Sequence, residues 1–221
     1  MKNPWRKESR KWEKDSYKGH YILPQDLETI TEFNSRKRKI EQQIELYLPP
    51  DPFEGNVQNA NVIILMLNPG FTLPPGFEKS SDLFYIEKFP EYKKDLMKNL
   101  RQNNQEYPFV HLNPEYQLSG GFTYWSQKLK TFLEEEADYK KIANEVAVVE
   151  YFPYHSLTYS WDDNIGYLKS QEFNFEMVTK AVRAEKPVVI GKGSRRWKEI
   201  LGENGLDRKK NVITVRSERN S

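Results

Sequence analysis

The sequence predicts a single-domain, three-layer α/β protein, with a four-stranded parallel sheet between two layers of helices. Three observations carry that reading. Four short apolar runs, Val62 to Leu67, Val146 to Phe152, Pro187 to Ile190 and Asn211 to Val215, are each followed by a polar or glycine-bearing turn. Segments with apolar residues at helical spacing separate the runs, as crossover helices between parallel strands require. The chain, 221 residues with 37% hydrophobic and 14% aromatic content, can bury one good core and is too apolar for disorder.

Composition narrows the function classes before any motif is read. There is no cysteine, which excludes disulfides, thiolate metal sites, Cys-held iron–sulfur clusters and a Cys nucleophile. Only three histidines are present (His20, His111, His155), which argues against a structural zinc site, so neither metal nor cofactor is expected. The net charge of +2 says little about partners. The N-terminus is basic without an apolar core, and no run is long enough to cross a bilayer. A soluble, cytoplasmic monomer without membrane contact is expected.

Met1 to Tyr21 holds seven Lys or Arg against three acids, with Trp5, Trp12, Tyr17 and Tyr21 interleaved. Such a segment is either a basic arm for nucleic acid or a surface segment whose aromatics pack on the body. Arg36-Lys37-Arg38-Lys39 opens a predicted helix with Ile40, Ile44 and Leu48 on one face, ended by Pro49-Pro50-Asp51-Pro52. Residues 1–47 then form an arm and helix packed on a domain of residues 48–221, and Phe53 to Asn56 leads into the first strand. That strand, Val62 to Leu67, has six apolar residues, three of them β-branched, which marks burial on both faces. It stops at Asn68-Pro69-Gly70, where Pro69 lacks a ladder N–H and Gly70 tolerates positive φ. Open α/β sheets bind ligands at that carboxyl end, although the same three residues also make an ordinary turn.

Thr72 to Thr123 shows no sheet pattern, and its best helix runs from about Glu91 to Arg101. Lying after the strand end, it covers the proposed site, and Phe109 or its neighbours supply either an aromatic for stacking or local packing. Trp125, Leu129, Phe132 and Leu133 share one helix face up to Glu134-Glu135-Glu136. Acids at a helix C-terminus oppose the dipole, so the helix continues or is propped by Lys140 and Lys141. Val146 to Phe152 should end beside Asn68. A helix from near Ser170 feeds the third strand, Gly191-Lys192-Gly193 leads into a basic helix from Ser194 to Leu201, and the fourth strand follows. From Arg183 to Arg219 there are eleven Lys or Arg against five acids, a local asymmetry suited to phosphates.

These residues resemble the uracil-DNA glycosylase superfamily. In its mismatch-specific branch the first strand is followed by glycine, any residue, then Asn-Pro-Gly, and here Leu67-Asn68-Pro69-Gly70 stands in that place. Ile190-Gly191-Lys192 entering a helix is similar to a later segment of the same branch. The second motif, His-Pro-Ser or Asn-Pro-Ser after the fourth strand, falls on Val215-Arg216-Ser217, where only the serine matches. The chain differs further in lacking the leading glycine, with Met66-Leu67 instead, and in ending close behind Ser217, as a shortened or a degenerate member would.

The resemblance implies hydrolysis of the N-glycosidic bond of uracil or a modified base flipped out of DNA. Asn68 then orients the attacking water, and His155 and Ser217 serve the departing base. Gly70, Phe71, Glu150 and Phe109 surround the base, with Glu150 accepting from an exocyclic amine as a carboxylate does from cytosine. Lys192, Arg195, Arg196, Arg216 and Arg219 meet DNA phosphates. Beside these roles stand plainer ones: Glu150 facing solvent or pairing with a lysine, and His155 as a hydrogen-bonded structural histidine. Three function classes stay open, namely a DNA glycosylase, a non-catalytic DNA or RNA binder, and an enzyme or sensor for free nucleotides. A cleft filled by Phe71 or Tyr154 would mark the second, and a closed pocket without a basic track the third.

Overall fold

The computed structural model describes residues 2–14, 17, 19–37, 39–71 and 81–215, which form an α/β fold around one mixed, mostly parallel sheet of five strands. The strands are β1 (Phe53–Glu54), β2 (Val62–Met66), β3 (Val146–Glu150), β4 (Val188–Ile190) and β5 (Val212–Thr214), in the spatial order β1-β3-β2-β4-β5. All four predicted runs pair in parallel, with Met66 opposite Glu150, Leu65 opposite Ile190 and Ile190 opposite Thr214. The expectation of four strands is corrected by β1, which pairs antiparallel to β3 through Phe53–Val149 and Glu54–Val148. Two residues carry no readable alternation, so this strand has no sequence signal of its own.

Eight helices surround the sheet among the described residues. They are α1 (Trp5–Trp12), α2 (Leu27–Arg36), α3 (Ser81–Lys88), α4 (Pro90–Leu100), α5 (Gly120–Lys128), α6 (Glu136–Glu145), α7 (Gln171–Arg183) and α8 (Ser194–Glu203). Successive strand residues point to opposite faces. Ile63, Leu65, Ala147 and Val149 accordingly join one apolar cluster with Trp5 and Trp12 of α1, Val182 of α7 and Trp197 of α8. Ile64, Met66 and Val148 face a second cluster with Phe109, Trp125 of α5 and Ala143 of α6. No helix among the described residues is long and apolar enough to cross a membrane.

Two local expectations are overturned, and one left open is resolved. The helix read over Arg36 to Leu48 ends where it was expected to begin: α2 stops at Arg36, and the Asn34 carboxamide bonds both the N–H and the carbonyl of Ile44, holding that stretch extended. The helix through Phe132 breaks after Lys128, and the glutamates lead into α6 instead, where the Asp138 side chain accepts from the Glu135 N–H at 3.0 Å. Acids there complement the helix dipole. In the N-terminal segment, Trp5 and Trp12 are fully buried, so its aromatics pack on the body while Arg6, Lys7, Arg10 and Lys11 stay exposed.

Candidate functional site

Three of the parallel strands deliver their carboxyl ends to one cavity of about 350 Å³. The segment after β2 contributes Asn68, Pro69, Gly70 and Phe71; β3 contributes Glu150; the turn after β4 contributes Lys192. The strand order reverses between β2 and β4, the topological position at which α/β sheets bind ligands. Pairing extends past the strands, since the Tyr151 and Phe152 N–H groups donate to Met66 and Leu67 at 3.0 and 2.9 Å. The end of β3 thus lies beside Asn68, as expected.

Asn68 is held through its amide nitrogen, which donates to the Pro69 carbonyl and to the Ser156 hydroxyl, both at 3.0 Å. Both amide hydrogens are thereby engaged, which leaves the amide oxygen as the group able to accept from a water. Gly70 does not have a positive φ, and a side chain there would meet open space, so the freedom that glycine offers is not used at this turn. The glycine that needs its conformation is Gly193, with φ 68° and a would-be Cβ 3.0 Å from Leu67. It lets the Gly191-Lys192-Gly193 turn close over the end of β2.

His155 lines the cavity, but its two ring nitrogens face the carbonyls of Gly70 and Pro49, each at 2.9 Å. A neutral imidazole donates to one of these carbonyls only, but both ring nitrogens point at the loops, which leaves neither aimed at a departing base. Phe109 is fully buried against Trp125, ring centroids 5.2 Å apart, and does not line the cavity. Phe71, Tyr92, Tyr124 and Trp125 are the aromatics that do. Lys192 stands over the Tyr124 ring at 5.9 Å. Arg195 is exposed on the first turn of α8, and Arg196 lies over Tyr151 and Tyr159 at 5.6 and 5.1 Å; neither lines the cavity. Ser217, Arg216 and Arg219 lie outside the described residues. Tyr154 does not fill the cleft, being buried elsewhere with its hydroxyl donating to Asp26 at 2.8 Å.

The cavity also gathers residues that no sequence motif pointed to, namely Asp51, Glu54, Asp82, Tyr92 and His111. Glu54 is 2% exposed, and the backbone on both sides of it is pinned. The Asn174 amide donates to the Pro52 carbonyl at 3.0 Å, and the Asn99 and Gln102 amides donate to the Gly55 carbonyl at 3.2 and 2.8 Å. Gly55 itself has φ 82°, and a Cβ there would come within 2.6 Å of the Val146 carbonyl, so the strand edge admits only glycine. His111, on the short turn Val110–Leu112, places Nδ1 3.2 Å from a Glu54 oxygen and 3.9 Å from an Asp51 oxygen. Its Nε2 meets the Tyr92 hydroxyl at 3.0 Å. One ligand-type atom each of Asp51, Glu54 and His111 lies within 4.8 Å of the others.

Burial dominates the electrostatics. It pushes the Glu54 carboxyl well up, reinforced by the Asp51 charge and tempered by the approach of the His111 and Val110 N–H groups. It lowers the His111 imidazole, opposed by Asp51 and Asp82, which keeps the neutral ring. Glu150 is also pushed well above its ordinary value near 4.5, by burial and then Asp51, with Lys192 pulling it back in part. A carboxyl raised on folding favours the protonated folded state. Its contribution is complete below about pH 4.5 and is lost as pH rises towards the raised folded value. Glu150→Gln, which carries no such charge, should therefore gain stability over the wild type as pH rises from 4.5, by up to about 1.4 kcal/mol per pH unit. Melting curves of both proteins from pH 4 to 8 check this, and a constant difference would mean that Glu150 ionises freely.

Compared with protein-family models, with curated proteins and with solved structures, the chain finds no match in any of the three.

Proposed function

We propose that the protein is a DNA glycosylase that hydrolyses the N-glycosidic bond of uracil or a related base flipped into the cavity beside Asn68. The observation that carries this reading is the Asn68 amide: tethered through its nitrogen, it keeps its oxygen as acceptor in the lining of the cavity. Water attack on a cationic sugar needs orientation more than deprotonation, and a carboxamide supplies orientation. A space of about 350 Å³ walled by Phe71, Tyr124 and Trp125 suits one stacked base. The carboxylic residues within it repel phosphates, so the backbone stays outside, near Lys192 and the basic start of α8. The cavity is not filled by Phe71 or Tyr154, which counts against a purely non-catalytic binder.

Glu150 is assigned to the base edge. In its ionised form it accepts only, which matches an exocyclic amine. In the neutral form that burial favours it also donates, which matches a carbonyl beside an N–H, as on uracil. Gln at this position keeps both functions at every pH.

The test is a panel of single- and double-stranded oligonucleotides with different bases, incubated with the protein at low and physiological salt and scored for abasic sites. Abasic sites at one class of base are expected. Salt-sensitive binding without abasic sites would favour the non-catalytic binder. Cleavage confined to free nucleosides or nucleotides would favour the third class.

A further inference from the structure

We propose that Asp51, Glu54 and His111 form a binding site for a divalent transition-metal ion, Zn²⁺ by preference, in the wall of this cavity. Glu54 and His111 are the anchors. Glu54 is 2% exposed and His111 7%, and neither Glu54 oxygen nor His111 Nδ1 completes a hydrogen bond of ordinary geometry among the described residues, although the His111 and Val110 N–H groups approach Glu54. Buried polar atoms are otherwise almost always paired, because leaving them unpaired forfeits their hydration without return. Here one Glu54 oxygen and His111 Nδ1 lie within 4.8 Å of each other and of an Asp51 carboxylate oxygen.

The separation of His111 Nδ1 from Glu54 is that of neighbouring ligands around one ion, with Asp51 standing slightly wider. Metal–ligand bonds of roughly 2.0 to 2.2 Å to nitrogen and carboxylate oxygen separate neighbouring ligand atoms by about 3 to 3.5 Å and opposite ones by about 4 Å. The observed separations from His111 Nδ1 are 3.2 Å to Glu54 and 3.9 Å to Asp51, with all ligand atoms inside 4.8 Å. Two carboxylates and one imidazole, without sulfur, suit Zn²⁺ or Mn²⁺; the imidazole disfavours Ca²⁺ and Mg²⁺, which prefer oxygen alone. Three protein ligands leave a position open to the cavity, the pattern of a site that holds water or substrate.

The supporting groups also fit. The Tyr92 hydroxyl meets His111 Nε2 at 3.0 Å, which fixes the ring so that Nδ1 faces the carboxylates, the orienting contact that metal-bound histidines use. Gly121 lies against the other side of the ring, and a Cβ there would come within 2.2 Å of it, so only glycine admits this ring position. The Asp51 backbone is anchored by its N–H donating to the Pro153 carbonyl at 2.9 Å. The three ligands come from a proline-rich loop, a two-residue edge strand and a short turn 57 residues further along the chain, so the set exists only in the folded protein.

The inference goes beyond the glycosylase reading and is tested without it, because ion binding is measured on the free protein. The full chain, treated with a chelator and dialysed, is titrated with Zn²⁺ by calorimetry and with Mn²⁺ by electron paramagnetic resonance. One ion per chain is expected, with affinity at least about tenfold lower in both Asp51→Asn and Glu54→Gln. The Asp51 side chain is less deeply buried than that of Glu54, 15% exposed against 2%, so its variant guards against a folding defect, and melting temperatures of the metal-free proteins confirm that each variant is folded. If the buried atoms are satisfied instead by a proton shared between Glu54 and His111, neither metal binds stoichiometrically, and the proposal is overturned. Stoichiometric binding that both folded variants retain would place the ion elsewhere and overturn it equally.

Discussion

Asn68→Ala should lower base excision by about 10²- to 10³-fold while DNA affinity stays within a few-fold, the cost of losing one preorganised polar group in the transition state. The side chain follows a strand paired on both sides, and its nitrogen is fixed by Pro69 and Ser156, so little freedom remains for its oxygen. On the proposed reading the phosphates are met elsewhere, near Lys192 and the start of α8, so removing the amide should leave that binding unchanged. Asn68→Asp is a sharper probe. A carboxylate would favour a cationic sugar, but it cannot donate to the Pro69 carbonyl and would set acceptor against acceptor there. We expect its activity to fall between those of the alanine variant and the wild type. Excision and melting temperature measured on the same preparations separate chemistry from folding. If the alanine variant loses excision only in proportion to unfolded protein, Asn68 is a turn residue and nothing more.

Trp197→Ala should destabilise the fold by about 3 to 5 kcal/mol, the range for emptying a buried aromatic site. Trp197 is fully buried in α8, its indole N–H donates to the Met66 carbonyl at 2.6 Å, and its ring meets Tyr151 and Phe175 edge-on at 5.6 and 5.8 Å. It thus joins the helix after β4 to the last residue of β2, two residues before Asn68. Such a loss is a large fraction of the total stability of a typical domain. Trp197→Phe keeps most of the apolar volume and gives up the hydrogen bond, so a smaller loss of about 1 to 2 kcal/mol is expected. Urea denaturation of the three proteins measures both. An alanine variant within about 1 kcal/mol of wild type would mean that the α8 contact contributes little to holding the end of β2.

What could be read from the chain depended on whether its physical signal was local. The run Val62 to Met66 announces its burial by continuous apolar residues, and the turn at Asn68 by the proline and glycine after it, so both strand and strand end were legible. The helix α7 was legible from Phe173, Met177, Ala181 and Val182 at helical spacing. The edge strand β1 was not, because two residues have no period and its pairing is made by β3, almost a hundred residues away. The break after Lys128 was hidden because Phe132 and Leu133 continue the apolar spacing into a short turn and a non-helical residue. Asp51 and Glu54 looked like punctuation before a strand, and His111 like part of an aromatic loop. Only the fold brings them within ligand distance. Phe109 illustrates the converse: its type suited a stacking role, but its position put it in the core.

The central claim is that water, held at Asn68, replaces the base at the sugar. Hydrolysis in ¹⁸O-labelled water tests it most directly, using the panel of oligonucleotides with different bases, prompt borohydride reduction to stop exchange at C1′, and mass spectrometry of sugar and base. The account predicts free base without label and one ¹⁸O at the C1′ hydroxyl of the abasic sugar, because the N-glycosidic bond breaks and the base leaves with a proton. Label in the base with the glycosidic bond intact would mean attack on the ring itself, and would contradict the glycosylase account of the cavity.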